Sequence, residues 1–177
     1  MRRRLFLAGV LLHAVVLLGW ALSLEAARAR AVTIRLETLP VDPRDYLRGD
    51  YVWLRYRVSD LSPSAFRGPS PDWSDVGRPV YVALEPRGPF HEVAAASLTR
   101  AALSLAAGQR LMVGRLSHAA TGRASGTPLS VTYGIERYYV PEGKGNPPRG
   151  AMEAEVALTA DGRAFLTRLF VDGKPYP

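Results

Sequence analysis

The spacing of hydrophobic residues divides this chain into one long apolar helix and a series of short strands. Residues 5–24 form an almost uninterrupted apolar run, about the 20 residues that an α-helix needs to cross the hydrocarbon core of a membrane. After a short polar linker at residues 25–30, the apolar residues recur at every second position, which is typical of strands with one buried face. We therefore predict a transmembrane helix followed by one mostly β domain at residues 31–177.

The most informative pattern lies in residues 42–58. Residues 42–49 begin with Asp-Pro and end in Gly, which suit the N-cap, the first helical position and the left-handed position after a helix, so they predict one capped helical turn. From Asp50 the period changes to two and predicts a strand. Its expected core face carries Val52, Leu54, Tyr56 and Val58, and its other face carries Tyr51, Trp53, Arg55 and Arg57.

Further strands are indicated on both sides of this stretch. Alternation predicts a strand at residues 32–36, and the turn residues Pro86-Arg87-Gly88-Pro89 separate two β-prone runs at 80–85 and 90–96. Residues 59–79 are rich in Ser, Pro, Gly and Asp and predict a long loop in which Trp73 is either a contact residue or a plug on the core. The remaining predictions are a short helix or irregular crossing at 98–109, strands at 111–116 and 129–133, and a hairpin at 154–171 whose Asp161-Gly162 pair forms a tight primed turn. About eight to ten strands in all predict a β-sandwich or a partly open β-barrel.

The net charge of +7 is concentrated at the amino terminus rather than spread over the domain. Residues 1–30 contain five arginines and one glutamate, so they contribute +4, and the rest of the chain contributes +3 without a basic stripe. Nucleic acid is therefore not an expected partner. The basic segment at residues 1–4 favours a cytoplasmic amino terminus, with the domain in the bacterial periplasm.

A cleaved signal peptide is the alternative to a permanent anchor. Ala27-Arg28-Ala29 has the spacing of a cleavage site, but the apolar run exceeds the usual 7–15 residues and Arg28 lies inside the site. We favour an uncleaved anchor. The chain has no cysteine, so it has neither disulfides nor thiolate metal sites.

The outward face of the central strand and a second segment, residues 133–145, are the candidate functional surfaces. Two aromatic rings and two guanidinium groups on one strand face suit stacking and charge-assisted hydrogen bonds to a partner. The structural alternative, which we favour for the strand alone, packs the rings under a loop and pairs Arg55 and Arg57 with carboxylates of a neighbouring strand. Residues 133–145 combine Glu136, Glu142, two basic residues and three tyrosines, which suits either an interaction surface or a rigid corner.

The two segments carry a resemblance that covers the domain. Gly49-Asp50-Tyr51, Leu54 and Tyr56 spell the motif of the GDYxxLxY family of bacterial membrane-anchored proteins, and Asp42, Arg44, Asp45 and Arg48 before it also resemble that family. So do residues 133–143, with Gly134, Glu136 and Arg137, and the end of the chain at residues 161–164 and 171–173. The resemblance implies a single-span protein whose external β-rich domain lies beside multi-span membrane proteins, and it implies no particular reaction.

Catalytic readings find little support in the residue pattern. The only lysines, Lys144 and Lys174, lie in a loop and near the end of the chain, and neither accompanies a serine nucleophile motif. His91 and His118 read as surface histidines. The carboxylates Asp50, Glu136 and Glu142 are the candidates for a hydrolase acid and base. Asp42, Asp45 and Asp50 could gather a hard cation, but Arg44 and Arg48 interleave with them, so we expect ion pairs and neither a metal nor a cofactor.

We interpret the protein as a binding module for an integral membrane-protein partner, with Trp53, Arg55 and Tyr138 as contacts. Asp50 and Glu136 are expected to hold the two segments together through Arg44, Arg48 or Arg137. The alternatives are a cell-envelope hydrolase using the three carboxylates, and a module for glycans or lipid head groups with an aromatic groove of Tyr51, Trp53 and Trp73.

Overall fold

A computed structural model of the chain describes residues 2–39, 51–119, 129–141 and 150–176. Several predictions lie outside this part of the chain. They are the capped turn at 42–49, Asp42, Arg44, Asp45, Arg48, Gly49, Asp50 and Glu142.

The amino-terminal helix, α1, runs from Arg2 to Ala29. Its residues 3–29 are long and apolar enough to cross a membrane, and almost all of its side chains are exposed to the surroundings. The helix continues through residues 25–29 of the predicted linker, since these residues contain neither Gly nor Pro to end it. Only two residues separate Ala29 from the first strand at Val32.

The rest of the described chain is mostly strand and forms a nearly closed, barrel-like sheet, which confirms the predicted fold class. The strands are β1 (Val32–Leu39), β2 (Tyr51–Trp53), β3 (Arg55–Tyr56), β4 (Asp60–Leu61), β5 (Pro79–Arg87), β6 (Phe90–Ser97), β7 (Arg110–His118), β8 (Leu129–Thr132), β9 (Arg137–Tyr139), β10 (Met152–Leu158), β11 (Ala164–Val171) and β12 (Lys174–Tyr176). One sheet has the order β12-β11-β10-β1-β3, a second has the order β4-β8-β7-β5-β6, and β2 pairs with β9 in a two-stranded ribbon. Strand β1 packs beside β6, which brings the two larger sheets together.

The barrel interior is filled by the inward-facing residues of these strands. The predicted core face of the central stretch is confirmed, because Val52, Leu54, Tyr56 and Val58 are each at most 3% exposed. They pack with the other large buried side chains in one cluster, which includes Leu36, Val80, Val82, Leu84, Met112, Leu116, Leu129, Val131, Val156 and Leu169. One face of the central stretch therefore packs into the core.

The structure corrects the predicted single strand at residues 50–58. Its described part is broken into β2, β3 and a 3₁₀ turn at Arg57–Ser59, because Tyr51–Trp53 pair with β9 whereas Arg55 and Tyr56 pair with β1. Alternation of buried residues survives the break, which is why the sequence pattern resembles one strand.

The two predicted hairpins are present, but the predicted turn type at Asp161-Gly162 is wrong. Gly162 N donates to Thr159 O (2.9 Å) and Thr159 N donates to Arg163 O (3.0 Å), with positive φ at Gly162 only, which is a three-residue loop closed by a glycine bulge. The primed turn lies instead at Asp172-Gly173, where φ is positive at both residues (49° and 74°) between β11 and β12.

Residues 98–109 and the long loop at 59–79 contain little regular structure. Residues 98–109 are irregular apart from a 3₁₀ turn at Arg100–Ala102, and the long loop at 59–79 contains β4 and two 3₁₀ turns. Trp73 is 60% exposed in the second of these turns, so it does not plug the core.

Candidate functional site

The two segments singled out in the sequence, residues 42–58 and 133–145, run antiparallel to each other along the barrel in their described parts. The antiparallel arrangement extends over residues 51–61 and 129–139. Backbone pairing joins Tyr51 to Tyr139 and Trp53 to Arg137 at one end, and β4 to β8 at the other. Between these ends, Leu54 N donates to Glu136 O at 2.7 Å. Paired residues of these two stretches lie 68 to 88 positions apart in sequence, yet the stretches form one continuous unit, which we call the paired motif.

Two buried tyrosines hold the middle of the paired motif together. The hydroxyl of Tyr56 donates to Ile135 O (2.6 Å), and the hydroxyl of Tyr133 donates to Val58 O (2.6 Å), so each segment contributes one donor and one acceptor. Burial, followed by the nearby Glu136 carboxylate, raises the pKa of both hydroxyls well above the usual value. Both tyrosines therefore stay protonated and remain donors at any physiological pH.

Glu136 stabilises the tight corner that precedes β9. Its carboxylate accepts the backbone N–H of Tyr133 (2.5 Å) and of Gly134 (2.9 Å), and Gly134 has a φ of 81°, which favours glycine. The role expected for Glu136 was to join the two segments through an arginine. Within the described residues it instead serves its own corner, while its backbone carbonyl joins the segments through Leu54.

Four side chains on the outward side of the β2–β9 ribbon form a cluster, which we call the aromatic face: Tyr51, Trp53, Arg137 and Tyr139. Tyr51 is half-buried, and the other three side chains are exposed. The Tyr51 ring lies 6.5 Å from the Trp53 ring in an edge arrangement and 6.1 Å from the Tyr139 ring. The Arg137 guanidinium carbon lies 5.4 Å from the Trp53 ring centre and 5.8 Å from that of Tyr51, within cation–π range. Trp53 is 40% exposed and Tyr139 is 71% exposed.

Arg55 and Arg57 form ion pairs and do not belong to the aromatic face. Arg55 donates to both carboxylate oxygens of Asp60 (2.7 and 2.9 Å), and Arg57 donates to both oxygens of Glu37 on β1 (2.5 and 2.7 Å). The hydrogen bond from Arg57 lowers the pKa of the Glu37 carboxyl. The Arg57–Glu37 pair matches the structural alternative considered for the two arginines, whereas the partner of Arg55 lies five residues later in its own segment.

Tyr138 lies on the opposite side of the ribbon from Arg137 and Tyr139. Its half-buried ring packs against the core cluster, and its hydroxyl donates to Tyr176 O at 3.2 Å. Alternation along β9 explains this placement, because neighbouring residues of a strand face opposite sides. The sequence interpretation named Tyr138 as a contact and missed Tyr139, whose position beside Tyr51 becomes visible only when the partner strand is known.

The residues named for catalysis and for an aromatic groove are not gathered into a site by the described chain. Of the three carboxylates only Glu136 is described, and both of its oxygens accept backbone N–H groups. Trp73 makes no ring contact with Tyr51 or Trp53 among the described aromatic pairs. The described residues also contain no group of three His, Asp or Glu side chains that could hold a metal ion.

His91, outside the paired motif, also has an unusual environment. It lies on β6, and its buried Nδ1 has no hydrogen-bond partner. Burial, with a smaller contribution from the Arg110 charge, lowers its pKa. No described nucleophile accompanies it, so we assign it no chemical role.

A helix that is long and apolar enough to cross a membrane, joined by two residues to a nearly closed β-barrel, defines this protein as a helix-linked β-barrel domain with an exposed aromatic face. The chain belongs to the GDYXXLXY protein family, whose sequence profile matches residues 13–169. The resemblance noted in the sequence is thereby confirmed. No curated protein and no solved structure matches the chain.

Within the family motif, the described residues divide by role. Leu54 and Tyr56 are buried, and the backbone N–H of the first and the hydroxyl of the second bond to the second segment. Tyr51 belongs to the aromatic face. The motif therefore both holds the two segments together and presents a surface.

Proposed function

We propose that this protein is a single-span anchor in the bacterial inner membrane whose periplasmic barrel binds an integral membrane protein through the aromatic face. The observation that carries the proposal is the aromatic face itself. Trp, Tyr and Arg are the residue types that contribute most binding energy at protein interfaces. Here Trp53, Arg137 and Tyr139 are exposed, and they cluster around the half-buried Tyr51 on a short ribbon.

The aromatic face is also supported from beneath, which limits the entropy lost on binding. Tyr51, Trp53 and Leu54 are fixed by backbone pairing with the second segment, and the buried hydroxyls of Tyr56 and Tyr133 secure the adjoining residues. A preorganised aromatic surface binds more tightly than a mobile one of the same area. The paired motif thus explains why a structural motif and a binding surface occupy one stretch of sequence.

The path of β1 favours a protein partner over the lipid surface. Two residues separate strand β1 from α1, and the far end of β1 pairs with Arg55 and Tyr56, next to the ribbon. Eight strand residues span about 26 Å at roughly 3.3 Å per residue. The barrel end near Val32 is the one close to the helix, where Arg28 lies 5.6 Å from the Phe165 ring. A face at the other end of β1 suits a protein that projects from the membrane.

Anchoring and orientation rest on the chain's charge and apolar length. Three arginines precede the apolar run, which supports a cytoplasmic amino terminus. Residues 3–29 form one helix without a break at the possible cleavage site, which supports a retained anchor.

Photocrosslinking in the native membrane tests the proposal. A photoreactive residue is placed at position 139 of the full-length protein, and the adduct is identified by mass spectrometry. The matched control carries the same residue at position 73, because Trp73 is also largely exposed (60%, against 71% for Tyr139) but lies outside the aromatic face. We expect a discrete membrane-protein adduct from position 139 only. Equal adducts from both positions, or none from a folded and expressed protein at position 139, would overturn the proposal.

A further inference from the structure

We propose that Arg137 binds a carboxylate in an acidic, extended segment of the protein partner, an inference that rests on the proposed function and specifies the chemistry of the bound segment. Its basis is a difference between Arg137 and the other two arginines of the paired motif. Arg55 is paired with Asp60 and Arg57 with Glu37, whereas Arg137 has no carboxylate partner in the part of the chain that the structure describes.

The position of Arg137 is nevertheless defined. Its guanidinium lies over the Tyr51 and Trp53 rings at 5.8 and 5.4 Å, so the aromatic contacts fix the group without using the hydrogen-bond donors on its edges. A planar guanidinium held in this way offers paired N–H donors that match the two oxygens of a carboxylate. The side chain is therefore oriented before the anion arrives.

The nearest acidic residue in sequence does not neutralise this charge. Glu136 precedes Arg137, and neighbouring residues of an extended chain point to opposite sides. Both oxygens of Glu136 accept backbone N–H groups of the corner at Tyr133 and Gly134. The Glu136 carboxylate therefore stabilises the corner and does not pair with Arg137.

The ring geometry favours a peptide over a sugar as the anionic partner. A sugar stacks on a flat, open ring face, but the Arg137 guanidinium already lies over Tyr51 and Trp53, and these two rings meet at 61° rather than forming a flat platform. The exposed ring of Tyr139 beside them provides an apolar contact next to the cation. An acidic residue followed by apolar residues in an extended peptide satisfies both features.

The test uses charge reversal in the full-length protein carrying the photoreactive residue at position 139. Arg137→Glu is expected to lower the adduct yield with the identified partner about tenfold, because a charge-assisted hydrogen bond of roughly 1.5 kcal/mol is replaced by repulsion. Arg137→Lys retains the charge without the fork and is expected to give an intermediate yield. Arg168→Glu, at an exposed β11 position, is the control and is expected to leave the yield unchanged.

The partner is then altered in the opposite sense. Peptide mapping of the adduct should find an Asp or Glu within a few residues of the crosslink, and its replacement by Arg should restore the yield with Arg137→Glu. An adduct whose mapped segment has no acidic residue, or a yield insensitive to Arg137→Glu, overturns this inference while the proposed function stands. An adduct with an anionic glycan instead of a protein, or no adduct with the unchanged Arg137, overturns the proposed function as well.

Discussion

The Tyr56 hydroxyl donates a 2.6 Å hydrogen bond to the backbone carbonyl of Ile135, 79 residues further along the chain. Tyr56 is completely buried, and Ile135 is 5% exposed. A buried carbonyl that loses its donor carries the full cost of its desolvation. This single contact therefore couples the family motif to the corner that precedes β9, and its two residues lie within three positions of the strands that carry the aromatic face.

Removing the Tyr56 hydroxyl should destabilise the fold strongly for the loss of a single oxygen atom. Tyr56→Phe keeps the ring but leaves Ile135 O without its partner, so we expect the free energy of unfolding to fall by about 1–3 kcal/mol. Urea unfolding of the full-length protein in micelles, followed by circular dichroism, measures the change. Tyr139→Phe removes a hydroxyl from an exposed ring and should change stability by less than about 0.5 kcal/mol. Equal stability of Tyr56→Phe and the unchanged protein would contradict the assigned role of the hydroxyl.

Stability should also decrease in alkaline solution because of Tyr56 and Tyr133. The unfolded chain releases their protons near pH 10, whereas burial raises the pKa of both in the folded protein, so above pH 10 the unfolded state binds fewer protons. The free energy of unfolding then falls with rising pH by at most about 1.4 kcal/mol per pH unit for each tyrosine.

Urea unfolding at several pH values from 9 to 11 measures this slope. Tyr133→Phe should show a shallower decline than the unchanged protein, since one of the two buried protons is absent. The other titrating groups are common to both proteins and cancel in the comparison. Parallel declines would show that Tyr133 titrates normally in the folded state.

The corner at Gly134 depends on the Glu136 carboxylate. Glu136→Ala leaves the N–H groups of Tyr133 and Gly134 without their acceptor, and we expect a loss of about 1–3 kcal/mol in the free energy of unfolding. Glu136→Gln keeps one oxygen acceptor and should lose less. If Glu136 were a catalytic acid rather than a corner residue, Glu136→Ala would leave stability unchanged.

The proposed orientation in the membrane can be tested because the chain has no cysteine. A single cysteine at position 139 should react with a membrane-impermeant maleimide in intact spheroplasts, whereas one at position 3 should react only after the membrane is opened. The intact protein should also retain its amino-terminal residues, as read from its mass. Labelling of position 3 from outside would reverse the proposed topology, and a mass lacking α1 would show cleavage.

The core face of the central stretch was predictable because burial on one side of a strand leaves a period of two in the sequence. That period survives the break between β2 and β3, since Val52, Leu54 and Tyr56 all point inward despite pairing with different strands. The break between β2 and β3 does not alter the pattern of hydrophobic residues. It arises because the two strands pair with different partners, β9 and β1, and this pairing is a property of the assembled barrel.

The composition of the aromatic face was only half predictable for a similar reason. Tyr51 and Trp53 share a strand face by parity, but Arg137 and Tyr139 join them through the register of the β2–β9 pairing. Arg55 was an equally plausible member from parity alone, and its pairing with Asp60 depends on the turn that follows. Asp161-Gly162 shows the same limit at a turn, because strand register, rather than the dipeptide, fixed a bulged loop there.

The most direct test of the aromatic face as a binding surface compares partner crosslinking from position 139 with and without Trp53→Ala. Trp53 is 40% exposed, so its removal should leave the fold intact by circular dichroism while it takes away the largest ring of the face. We expect the adduct to fall at least about tenfold, the loss typical of a central aromatic contact. An unchanged yield from a folded Trp53→Ala protein would show that the partner binds elsewhere.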